Sequence, residues 1–165
     1  MKTLPFSKTH QLKHQAFEDQ SQFVKVKKTK KVSVSKLKAT LLKLVKSYIH
    51  IRDNDTCQKC GKQVEGSNCQ VSHVIPVSHG NALAFDPMNM KIMCHHDHLS
   101  WWHKNPLEAS AWFKIAFPKR WKYLEAHKND VVHWKAQDYE QMIAVWRLKL
   151  SDPNGEMIDN NHEII

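Results

Sequence analysis

The chain has 165 residues and a formal net charge of +9, long enough for one modest core with appendages. Nine lysines and no acid lie between Lys25 and Lys46, whereas Asp152, Glu156, Asp159 and Glu163 follow Lys149 with no Lys or Arg among them. Such asymmetry points to a polyanionic partner, nucleic acid ahead of an anionic membrane. No apolar run nears the roughly 18 residues of a membrane-spanning helix, and the start of the chain lacks a signal-type apolar segment. A membrane partner is therefore not expected, and the expected location is the reducing cytoplasm.

Residues 1–32 mix Gln, Lys, Ser and Thr without a period and are expected to form a flexible basic arm. Within it Lys27, Lys28, Lys30 and Lys31 are candidate phosphate contacts. A helix is predicted over 33–53, with Ser33 or Ser35 as N-cap. Leu37, Leu41, Leu44, Val45, Tyr48 and Ile51 form its apolar stripe, and Lys36, Lys38, Lys43 and Lys46 take the remainder. Asp53-Asn54-Asp55 closes it as a turn. A first short strand is predicted from Cys69 to Pro76 and a second from Met90 to Met93. A helix then begins near His95 and stops before Pro106. Pro106 and Pro118 each suit the first position of a further helix, and Asp138 with Gln141 suggests a capping box for a last one. Residues 151–165 read as an acidic disordered tail.

The stretch from Cys57 to His103 concentrates the chemistry. Cys57-x-x-Cys60 supplies two soft donors, and a tetrahedral structural zinc wants four. Cys94 is the third. The fourth comes from His95, His96, Asp97 or His98. Asp97 stands where a second Cys-x-x-Cys would place its cysteine, and His96 competes with it. Two unrelated thiols or a redox pair would be the alternative to a metal site.

Between these arms lie Ser72-His73-Val74-Ile75-Pro76, Asp86-x-x-Asn89 and Cys94-x-x-Asp97-His98. This order resembles the H-N-H endonucleases, whose shared core is a β-hairpin and helix around one divalent metal. With Ile51-Arg52-Asp53 ahead of the cysteine pair, it is most similar to the phage recombination nucleases of the NinG (Rap) type. The resemblance implies an α+β fold, a small ββα-metal core with a structural zinc embedded among α-helices. The resemblance covers roughly Arg52 to Asn105, and with the composition on either side it divides the chain into an arm at 1–32, a nuclease domain at 33–150 and a tail at 151–165. The domain would comprise the basic helix 33–53, the zinc and ββα core 54–105 and helices over 106–150.

The resemblance also assigns roles. His73 would be the general base, suited by an imidazole's pKa to take a proton near neutrality. Asn89 would orient that imidazole or its loop. His98 would bind the catalytic Mg²⁺ or another divalent ion, with Cys57, Cys60, Cys94 and Asp97 around the zinc. His103 lies five residues beyond His98, which on an α-helix turns it about 140° away. There it would face the scissile phosphate, with Lys104 and Arg52 on the backbone. Ser72 stands where many family members have an acidic or imidazole ligand, which favours softer ions such as Mn²⁺, Ni²⁺ or Zn²⁺. DNA, branched or single-stranded, would be the substrate, in a bacterial host cell if the chain is phage-encoded. A non-catalytic zinc-stabilised nucleic-acid-binding protein is the competing expectation, since it needs the cysteines and lysines but not His73.

Overall fold

Ser33 starts the first helix: its Oγ accepts the backbone N–H of Lys36 at 3.3 Å, and α1 runs Val34–Asp53. The computed structural model describes residues 31–79 and 82–151. Most of the expected arm, including Lys27, Lys28 and Lys30, and the tail beyond Ser151 lie outside the described residues. Leu37, Leu41, Val45, Tyr48 and Ile49 are buried on α1, while Ile51, expected in that stripe, is 55 % exposed. The inward face follows four-residue steps, Val45 to Ile49 to Asp53, so the three-residue step from Tyr48 leads out to solvent. At the helix end Asn54 and Asp55 take left-handed backbone angles, φ 48° and 46°.

A second helix, labelled α4 (Ala136–Ser151), packs against α1 through Tyr139, Ile143 and Trp146. The rings of Tyr48 and Trp146 meet edge-on, 5.1 Å between centroids. This helix begins two residues before the expected Asp138. The Asp138 carboxylate instead reaches back to accept the N–H of Lys135 at 2.6 Å, as the third helical residue of a capping box does.

The hairpin pairs β1 (Cys69–His73) with β2 (Met90–Cys94) antiparallel, Cys69 opposite Cys94 and His73 opposite Met90. The first strand ends at His73, not Pro76, because the chain bends into the loop that Asn89 holds. Every residue of β2 is buried, yet only one of its edges faces β1. A buried strand edge needs hydrogen-bond partners, and side chains supply them here. Asp53 Oδ2 accepts the N–H of Ile92 at 2.7 Å, and the backbone N–H of Gln58 donates to Ile92 O at 2.9 Å. Arg52 donates to the carbonyls of Pro87 and Met90 at 2.8 and 2.7 Å. Arg120, fully buried, donates to the carbonyls of Met88 and Met90.

Arg52 is thereby removed from the expected phosphate face. Its side chain is 1 % exposed and forks onto the Asp53 carboxylate at 2.7 and 3.1 Å, so its guanidinium is an interior cross-link. The sequence pattern did not single out Arg120, which sits on α3 (Pro118–His127) over the rings of Phe113 and Phe117.

After Cys94 the chain enters a π-helix, His96–Trp102, in place of the α-helix expected there. Helix α2 (Pro106–Ala116) follows, and both α2 and α3 open on proline as expected. Trp102, Trp112, Phe113 and Phe117 form an aromatic cluster of edge and tilted contacts beneath the π-helix and the α2–α3 corner. Among the described residues the fold is thus α+β, four α-helices around one two-stranded hairpin.

Asp53→Ala leaves Arg52 buried without its counter-charge and Ile92 without its acceptor. The expected loss of unfolding free energy is about 3–5 kcal/mol, read from urea denaturation, whereas Lys43→Ala on the exposed face of α1 should change little.

Candidate active site

The cysteine-bearing turn is shaped by Gly61, whose φ of 71° lets its N–H reach back to Cys57 O at 2.8 Å. Cys94 ends β2, and Asp97 lies on the first turn of the π-helix. Donor atoms of Cys57, Cys60, Cys94 and Asp97 all fall within 4.8 Å of one another. Cys57 Sγ stands 3.2 Å from Asp97 Oδ2, and the N–H of Asp97 donates to Cys94 Sγ at 3.3 Å. Of the candidates for fourth donor, Asp97 is therefore the one the fold delivers. His96 has a side chain 80 % exposed and touches only the outer carboxylate oxygen, at 3.3 Å. His95 is exposed, with its backbone N–H held by Asn68.

Burial pushes the Cys60 thiol up to about 12 and raises Cys94 as well. Burial also opposes charge on Asp97, but hydrogen bonds with Cys60, Cys57, His96 and Cys94 hold its carboxyl below the usual range. Three crowded sulfurs and a carboxylate are a donor set that a divalent thiophilic ion would neutralise, and it fits a closed four-coordinate site.

The other end of the hairpin carries imidazoles. His73, His98 and His103 line one cleft of about 570 Å³, with Ser72 and Trp102 in its wall. Nε2 of His73 lies 3.2 Å from Ala84 O, so it donates there and the Nδ1 lone pair is left available. Burial lowers the pKa of His73 below its ordinary 6.5, against the opposing pull of that carbonyl. His98 donates from Nδ1 to Gln70 Oε1 at 2.6 Å, which turns its Nε2 toward His103 Nε2, 3.0 Å away. Burial, then the neighbouring His103, brings His98 down to about 4.

The pairing of His98 with His103 corrects the expectation that they diverge. In the π-helix hydrogen bonds run from residue i+5 to residue i, and the N–H of His103 donates to His98 O at 3.3 Å. Residues five apart then stack on one face, and the ring centroids sit 4.7 Å apart.

Asn89 is 1 % exposed and stands outside the cleft wall. Its Oδ1 accepts the N–H of Ile75 at 2.7 Å, and its Nδ2 donates to the carbonyls of Ile75 and Leu83 at 3.0 and 3.1 Å. It thus clamps both ends of the loop after His73, one residue from the Ala84 carbonyl that holds the imidazole.

Two neighbours carried no sequence signal. Gln70 reads as an ordinary strand residue. Lys91 reads as a solvated charge, yet it is fully buried, with Nζ 3.3 Å from the Trp102 ring centroid and no hydrogen-bond partner among the described residues. Burial, then Arg120, pushes its pKa well below the usual value. Lys31, Lys36, Lys38, Lys43 and Lys104 are exposed.

A hairpin running into a helix thus carries a metal-capable cluster and a cleft of converging imidazoles. Residues 57–100, a minority of the 165, match the family model of the HNH endonuclease. The matched stretch contains all four cluster donors, His73, Asn89 and His98, and stops short of His103. No curated protein and no solved structure matches the chain.

If the cluster holds an ion, chelation should lower the melting temperature by at least about 3 °C, the shift that roughly 1 kcal/mol produces in a chain of this length. Asp97→Ala should start from the lowered value and respond less to chelator, while His96→Ala should behave as wild type.

Proposed function

We propose that the chain is a metal-dependent HNH endonuclease that hydrolyses DNA phosphodiester bonds. The observation that carries this reading is the meeting of His73, His98 and His103 in one cleft inside and just beyond the stretch matching the HNH family. A non-catalytic binding protein has no need of such convergence.

His73 acts as general base: Nε2 is tied to Ala84 O, and burial keeps Nδ1 unprotonated at neutral pH, ready to take a proton from the attacking water. Asn89 is a positioning residue, acting through the backbone on either side of the loop. His98, with Nδ1 committed to Gln70, offers Nε2 as a ligand, and His103 offers a second nitrogen beside it. A divalent ion bound there supplies positive charge at the phosphate and at the leaving oxygen. Two imidazoles, with Ser72 in place of an acidic ligand, favour Mn²⁺, Ni²⁺ or Zn²⁺ beside Mg²⁺. Zinc is the proposed occupant of the Cys57, Cys60, Cys94 and Asp97 cluster, pinning the hairpin to the π-helix.

Exposed Lys31, Lys36, Lys38, Lys43 and Lys104 supply sequence-tolerant contacts to the phosphate backbone. The finer assignment, to phage nucleases of the NinG (Rap) type acting on branched or single-stranded recombination and replication intermediates, rests on resemblance alone.

Cleavage of supercoiled and branched DNA with Mg²⁺ or Mn²⁺ tests the reading. His73→Ala should lose about 10²–10⁴-fold in rate with binding in chelator retained, and equal cutting by this variant would remove it. Because burial depresses the His73 pKa, the base stays neutral to lower pH than a free imidazole. The acid limb of the rate profile should therefore fall below pH 6.5.

A further inference from the structure

Cys69 is the one cysteine outside the cluster described above, and it is not isolated. His50 on the last turn of α1, Asp55 in the left-handed turn that follows, and Cys69 at the start of β1 bring their donor atoms within 4.8 Å of one another. His50 Nδ1 lies 2.5 Å from Asp55 Oδ1, and Cys69 Sγ lies 3.5 Å from that oxygen and 3.8 Å from that nitrogen. The side chains of His50 and Asp55 are 41 % and 47 % exposed, so the group is open to solvent on one side.

One nitrogen, one oxygen and one sulfur around a single point are the donor types of a borderline divalent ion. Bond lengths of about 2.0 Å to nitrogen and oxygen and 2.3 Å to sulfur would require His50 and Asp55 to part by roughly 1 Å, within reach of two exposed side chains. We propose that His50, Asp55 and Cys69 form a second transition-metal site, taking Zn²⁺ or Co²⁺, with water completing the coordination. The ion displaces the Cys69 thiol proton into solvent, and the imidazole proton shared with Asp55 passes to Nε2 as Nδ1 takes up the ion. Mg²⁺ and Ca²⁺ are poor occupants, because a thiolate is a soft ligand for them. Such an ion ties the end of α1 to the first strand, at the opposite end of that strand from His73. The site stands whether or not the cleft cuts DNA.

The test uses the full chain carrying His98→Ala and His103→Ala, which removes the paired cleft imidazoles as competing ligands. Co²⁺ is added, with absorbance followed in the visible and near ultraviolet and zinc content measured in the same samples. About one equivalent of Co²⁺ should bind with a thiolate-to-cobalt charge-transfer band while the zinc content stays constant. Cys69→Ser should abolish the band, and His50→Ala should weaken Co²⁺ binding at least about tenfold. Absence of the band in the parent protein would overturn the proposal. So would an unchanged band in Cys69→Ser, which would place the cobalt on the other cysteines.

Discussion

The outer edge of β2 is the constraint on which the rest depends. A two-stranded hairpin satisfies only half of its central strand, and here the other half faces protein. Asp53, Arg52 and Arg120 close that edge together with the backbone of Gln58. They come from three parts of the chain: Arg52 and Asp53 from the end of α1, Gln58 from the cysteine turn and Arg120 from α3. Satisfying β2 therefore fixes helices and metal-capable turn against the hairpin in one arrangement. The arginine–aspartate pair is also unusually well placed to tolerate burial, since its remaining donors and acceptors meet backbone groups.

From that fixed strand the two chemical centres follow in opposite directions. Where β2 ends, Cys94 and then Asp97 meet the cysteine turn. Where β2 begins, Asn89 clamps the loop whose Ala84 carbonyl holds His73. The π-helix joins the ends by carrying His98 and His103 back to the cleft. One turn of i→i+5 bonding thus decides whether two histidines share a ligand position or face apart, and such turns recur at functional sites. Lys91 underlies the same wall, its amine against Trp102 and its pKa pushed down by burial.

Much of this was legible in the sequence because it depends on local spacing. The Cys57/Cys60/Cys94/Asp97 grouping, the Ser33 cap and the proline starts of α2 and α3 each follow from a residue and its near neighbours. The misses share a different cause. Arg52 was read as a surface cation because charge is normally solvated, and nothing local announces that a strand edge needs it. Ile51 was counted into the core by a three-residue step that the inward rotation of Asp53 overrides. His103 was turned away by assuming 3.6 residues per turn, which the chain abandons after Cys94. Asn89 was expected to orient its histidine or the loop, and only the fold reveals that its amide bonds go to the backbone of the loop. Tertiary demand, not local preference, settled each of these.

The central claim is that His73, His98 and His103 surround one ion-binding cleft, and histidine ring NMR during Mn²⁺ titration addresses it most directly. Paramagnetic broadening should strike His98 and His103 first and together, reach His73, and leave His127 and His133 sharp. Broadening of His98 without His103, or of neither, would contradict the account.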